Sequence, residues 1–179
     1  MDSTALLIID EQVGAFDGKR VPAIHDADGL LDQTTQLLET ARATHTLVIF
    51  VQHCAADGLF IEDTDAWHIH PRIAPKQNET VLLKQESSAF NATNLEPKLA
   101  GQGIRTLIIC GLQSEHCVFN TAVSALDLNF TVYVAGDAHS TWPSDQDSAP
   151  AIIQRQNLLL AQRGANVQST RDMVSLLLT

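Results

Sequence analysis

The sequence predicts a three-layer α/β/α fold around a parallel sheet, and three observations lead there. Short apolar, β-rich runs alternate with stretches of helical period along the 179 residues. Thr46 to Gln52 is a continuous β-rich run, as expected of a strand buried on both faces. A chain of this length also buries a substantial core without staples, so one domain over 1–179 is the economical reading.

The elements follow in order. Thr4 to Ile9 is the first strand and ends at Asp10. Asp28-Gly29-Leu30-Leu31 opens a helix in which Leu30, Leu31, Leu37, Leu38 and Ala41 share a face. Thr46–Gln52 is the second strand. The stretch from His53 to Glu79 has little periodicity and holds Trp67, His68, His70, Pro71 and Pro75; loops that long are usually functional, and it is expected to cover a site. The third strand, Thr80 to Leu83, ends at Lys84. Thr93-Asn94-Leu95-Glu96-Pro97 reads as a capped helix start. Thr106–Leu112 is the fourth strand, and the helix carrying Cys117 runs to about Leu128. Thr131 to Ala135 is the fifth strand. A helix over about 149–163 stops at Gly164, then come a short strand at Val167 and a last helix.

Composition narrows the function. The net charge is −10 and no basic block is present, which disfavours nucleic acid and anionic membrane surfaces. No apolar run reaches the roughly 18 residues of a membrane span. The start Met1-Asp2-Ser3-Thr4 shows no basic n-region. Three cysteines form no disulfide framework. A cytoplasmic protein with reduced thiols and a small-molecule substrate is expected.

Three ionisable residues close three separate strands: Asp10, Lys84 and, after the turn beyond Leu112, Cys117. Parallel α/β sheets bind ligands at the carboxyl ends of their strands, so acid, amine and thiol are expected to share one site. Unpaired N–H groups at a helix start and a neighbouring cation favour thiolate, which would make Cys117 a nucleophile. Cys110 lies inside a strand and reads as structural, and Cys54 as a bystander.

Several segments in order carry a resemblance: Ile8-Ile9-Asp10-x-Gln12, Ile69-His70-Pro71, Lys84, Ser88-Ala89-Phe90, Thr93-Asn94-Leu95, Gly111-Leu112-Gln113-Ser114-Glu115-His116-Cys117-Val118, Thr121-Ala122 and Asp137-Ala138. Together they resemble the isochorismatase-like cysteine hydrolase superfamily over nearly the whole chain. The resemblance implies a six-stranded parallel sheet flanked by helices (Rossmann-like) and hydrolysis of an amide, a carbamoyl group or, in the name-giving branch, a vinyl ether. It implies a catalytic triad of Asp10, Lys84 and Cys117. It further implies a cis peptide between Leu112 and Gln113, an oxyanion hole from the N–H groups of Gln113 and Cys117, and a homo-oligomer.

Gln12 is expected to orient Asp10 or support its loop, and with Phe16, Trp67, Phe90 and His116 to border the substrate pocket. Nicotinamidases of this superfamily carry an Asp-x-His metal motif where this chain has Gln52-His53-Cys54. With no matching carboxylate beside His53, His68 and His70, no metal and no cofactor is expected. The presence of Cys117 favours acyl chemistry over vinyl-ether cleavage. Three other readings stay open to test: a vinyl-ether hydrolase, a non-catalytic metabolite-binding member, and a redox protein pairing Cys54 with Cys117. A nucleotide-binding loop is disfavoured, because Asp10-Glu11-Gln12-Val13-Gly14 lacks a glycine-rich turn.

Overall fold

The computed structural model describes residues 3–178. Met1, Asp2 and Thr179, which belong to the expected 1–179 domain, lie outside the described residues. Six strands form one parallel sheet: β1 (Thr4–Ile9), β2 (Leu47–His53), β3 (Thr80–Lys84), β4 (Thr106–Leu112), β5 (Thr131–Ser140) and β6 (Asn166–Gln168). Their spatial order is β3-β2-β1-β4-β5-β6. The chain begins in the centre, builds out to β3, then returns beside β1 and builds the other half. The order therefore reverses between β1 and β4, where ligand crevices form in open parallel sheets.

Every residue of β1 is buried, because helices cover both faces. Leu7 and Ile9 point to one face, with Leu95 and Leu99 of α2 (Leu95–Gly101), Ala122 and Ala125 of α3 (Phe119–Asp127), and Leu160 of α4 (Ala149–Gln162). Leu6 and Ile8 point to the other, with Leu31, Leu37, Leu38 and Ala41 of α1 (Ala27–Ala43), and Met173 and Leu177 of α5 (Thr170–Leu177). This period-two division of a wholly apolar strand is what a doubly covered sheet requires. Cys110 is fully buried in the second of these cores.

Two elements depart from the expected boundaries. β5 runs on to Ser140, five residues beyond Ala135. Pairing passes from Ile109–Val134 to Gly111–His139, so one residue of β4, Cys110, faces four of β5. The bulge breaks the apolar pattern, since Asp137 turns away to accept hydrogen bonds from the Thr170 amide (2.7 Å) and hydroxyl (2.8 Å) at the start of α5. The second departure is the helix carrying Cys117. It opens with a wide π-turn over Ser114–Val118 before becoming the α-helix α3 at Phe119.

Gly111 lets β4 close against β1 at this point. Its φ is +116°, and a Cβ there would stand 2.1 Å from the Ile9 carbonyl oxygen. No other residue fits so close an approach with that backbone.

Candidate active site

Asp10 leaves β1 in the left-handed region (φ 53°), which Asp tolerates better than most residues, and this turns the chain out at the carboxyl edge. The turned segment is stitched to the 67–70 region. The Val13 amide donates to the His68 carbonyl, and the His70 amide to the Glu11 carbonyl. Lys84 is the last residue of β3 and pairs in register with His53 at the end of β2. Cys117 stands on the π-turn after β4, and the Leu112–Gln113 peptide before it is cis.

These three strand ends bring Asp10, Lys84 and Cys117 together. Lys84 Nζ lies 2.7 Å from Asp10 Oδ2, 3.2 Å from Cys117 Sγ, 3.1 Å from His53 Nδ1 and 3.2 Å from the Glu86 carbonyl oxygen. An ammonium has three protons, so four acceptors compete for them. Asp10 and Lys84 are each only 2% exposed. Burial opposes the Lys84 charge, but the neighbouring Asp10 and Cys117 outweigh it and its pKa is raised. Burial also raises the Asp10 pKa, with Lys84 pulling it back. Asp10 Oδ1 is buried without a hydrogen-bond partner, leaving one carboxylate oxygen open to a proton.

The thiol corrects one expectation. A helix start beside a cation was reason to expect a thiolate. Here burial, then the Asp10 charge, push Cys117 up to about 11, and Lys84 offsets only part of this. The resting thiol therefore keeps its proton at neutral pH, with the Asp10 carboxylate as its base.

His53 is fixed by the same ammonium. Lysine can only donate, so His53 Nδ1 accepts and the ring proton sits on Nε2. Burial, then the Lys84 charge, lower its pKa and keep the ring neutral. Beside Cys117 is a cavity of about 270 Å³. Asp10, His53, Gln113 and Cys117 supply its polar lining, and Ala55, Leu59, Phe60, Leu112 and Trp142 its apolar walls.

The five pocket residues expected from the sequence stand elsewhere. Gln12 is fully buried: its Nε2 donates to the His53 (3.0 Å) and Trp67 (2.7 Å) carbonyls, and its Oε1 accepts from the His53 amide (2.9 Å). It is a strut between β1, β2 and the long loop and lies outside the cavity lining. Phe16 packs into the core edge, its ring 5.0 Å from that of His70. Trp67 turns its indole N–H to Cys54 Sγ at 3.3 Å. Phe90 packs beside Phe130, ring centres 5.9 Å apart, against the core under α2 and α3. His116 is exposed on the turn, outside the cavity lining. Aromatic rings bury where apolar area is available, and nothing in their spacing marks which face a ligand.

The walls that do line the cavity come partly from the 53–79 loop, through Leu59 and Phe60, and partly from Trp142 after β5. The latter carries no motif. The three histidines separate: His70 Nδ1 accepts from the Arg72 amide, and His68 is exposed. Among the described residues no group of three or more His, Cys, Asp or Glu side chains is placed to hold a metal ion.

A parallel α/β sheet with acid, amine and thiol gathered at its switch point defines a class of hydrolase-like proteins. The chain belongs to the isochorismatase family, whose domain model matches residues 4–172. It is 35% identical over 155 residues to a streptothricin hydrolase of Streptomyces noursei, covering 83% of this chain and 55% of that protein. It is 32% identical over 130 residues to a maleamate amidohydrolase of Pseudomonas putida, covering 62% and 61%. The chain thus spans somewhat more than half the length of these curated relatives. Among solved structures, an isochorismatase family protein from Desulfovibrio vulgaris superposes over 100% of both chains with a TM-score of 0.88 at 27% identity. Among the described residues no helix is long and apolar enough to cross a membrane.

Proposed function

We propose that this member of the family is a cysteine hydrolase that cleaves a small amide or carbamoyl C–N bond through a thioester on Cys117. The observation that carries the reading is the Lys84 ammonium, within hydrogen-bond reach of both Asp10 Oδ2 and Cys117 Sγ beside a cavity. The relative named as a maleamate amidohydrolase agrees with it.

The thiol rests protonated, so its proton passes to Asp10 as sulfur attacks the carbonyl carbon. A C–S bond forms and the carbonyl π pair moves onto oxygen. The N–H groups of Gln113 and Cys117, at a helix start where amides lack intrahelical partners, are the proposed donors to that oxyanion. Collapse breaks the C–N bond, and the leaving amine takes the proton from Asp10. Water then gives a proton to Asp10 and attacks the thioester; the acid departs and sulfur recovers its proton. Lys84 remains cationic throughout and balances whichever of Asp10 or Cys117 is charged. Because a thiol supplies the nucleophile, these steps require no Lewis acid.

The test is a hydrolysis screen over small amides, carbamoyl compounds, nicotinamide and isochorismate, with Cys117→Ala as the blank. Release of ammonia or amine, with the acyl group trapped on Cys117 by mass spectrometry, is the expected result. Turnover of isochorismate alone, surviving in Cys117→Ala, would replace the reading with vinyl-ether chemistry.

A further inference from the structure

The walls of the cavity say what kind of acyl group it takes. Its apolar lining includes Leu59, Phe60 and Trp142, and the cation nearest the reacting atoms is Lys84. That ammonium is 2% exposed and already meets Asp10, Cys117, His53 and the Glu86 carbonyl, so it has no proton left for a substrate carboxylate. A carboxylate brought into this largely apolar cavity would lie near Asp10 with no free lysine or arginine among the lining residues to pair it, which is costly. A neutral group would find the His53 Nε2–H as a polar contact, and apolar surface beyond it.

Two of the walls serve twice. Leu59 and Trp142 also line an adjoining hollow of about 570 Å³, completed by Val21, Pro22, Ala23, His25 and Pro143. The Trp142 indole N–H donates to the Pro22 carbonyl at 2.6 Å, which holds the shared wall in place. Lys19 and Arg20 border a separate hollow that also touches Leu59, but Lys19 pairs with Asp17 and Arg20 donates to the Gly58 carbonyl.

We propose that the substrate is an uncharged amide whose non-reacting end is an apolar chain, running from the Cys117 cavity past Leu59 and Trp142 into the adjoining hollow. This rests on the reading of Cys117 as the acylated residue, and it excludes amides that end in a carboxylate.

The test compares kcat/KM for acetamide, butanamide and hexanamide with that for adipamate, which carries a carboxylate at its far end. Each buried methylene is worth about fourfold, so hexanamide should exceed acetamide on the order of a hundredfold and exceed adipamate by at least as much. Leu59→Asn should flatten the series. In parallel, hexanamide and adipamate are titrated calorimetrically into Cys117→Ala, which reads the pocket without turnover. A flat series, or adipamate handled as well as hexanamide through Arg20, overturns the proposal. Absence of both turnover and selective binding overturns it too. If no amide is hydrolysed while Cys117→Ala still prefers hexanamide, the hydrolase reading falls and the assignment of the pocket stands.

Discussion

Replacing Glu11 with Gln should make the protein more stable, and increasingly so as pH rises. Glu11 is 2% exposed, follows Asp10 directly, and takes no part in the proposed reaction. Its Oε1 accepts from the Thr34 hydroxyl at 2.7 Å, while Oε2 is buried without a partner. One neutral hydrogen bond cannot replace the hydration of a carboxylate, so burial lifts its pKa from 4.5 to about 8.

The folded pKa is raised above the unfolded one, so its contribution is fully present below pH 4.5 and is lost as pH rises through about 8. One pKa unit is worth about 1.4 kcal/mol, so the folded state loses about 3 kcal/mol by pH 7 and about 5 kcal/mol above pH 8. Glu11→Gln keeps the shape and cannot ionise. Denaturant unfolding followed by tryptophan fluorescence at pH 5, 6, 7, 8 and 9 should show the variant gaining on the parent across that interval. Effects of other titrating groups cancel in the difference. Parallel stability curves from pH 5 to 9 would refute the reasoning.

Iodoacetamide should label Cys117 at a rate that keeps climbing towards pH 11 and should leave the buried Cys110 untouched in the folded protein; a plateau below pH 9 would contradict the protonated thiol. Asp10→Asn should move that labelling profile to lower pH, because the Asp10 charge is part of what raises the thiol, and yet lower turnover by roughly two orders of magnitude by removing the base. Lys84→Met should lower turnover by a similar factor, and the double variant should lose much less than the product of the two, since both support one ionisation; full additivity in steady-state kinetics would separate them. Prolonged chelation should leave activity unchanged, and zinc-dependent recovery after chelation would point back to a metal at His53. Gly111→Ala should cost more than roughly 2 kcal/mol in the same unfolding assay, given the 2.1 Å approach of its Cβ to the Ile9 carbonyl.

The sheet and the meeting of Asp10, Lys84 and Cys117 at its edge were legible because strand ends are. A run such as Thr80-Val81-Leu82-Leu83 stops being strand where its apolar pattern stops, and a charged residue at that stop has few places to point other than the carboxyl edge. β5 past Ala135 was not legible, since Asp137, His139 and Ser140 break the pattern that marks a buried strand. Their polar atoms find partners that only the fold supplies: His139 Nδ1 lies 2.8 Å from the Ser114 hydroxyl and its Nε2 2.8 Å from Asn157 Oδ1. The cavity walls were hidden for a related reason. Leu59 and Trp142 lie 83 positions apart, and which of several apolar side chains borders a void depends on how loops close over the sheet. The pKa of Cys117 depends on a balance of burial and two opposite charges, and a motif reports the presence of those charges without their weights.

Gln12 joins the two halves of this arrangement and keeps them separable. It anchors the root of the long loop at His53 and Trp67, so Ala55, Leu59 and Phe60 project from a segment whose base is held and whose tip is free to change. Lys84 stands on a strand end locked by ladder pairing, Asp10 directly after one and Cys117 on the turn that follows β4; Leu59, Phe60 and Trp142 stand on loops. Insertions or exchanges between the anchor points can therefore reshape what the protein accepts without disturbing the triad geometry. A scaffold divided in this way can diversify in substrate while inheriting its chemistry intact.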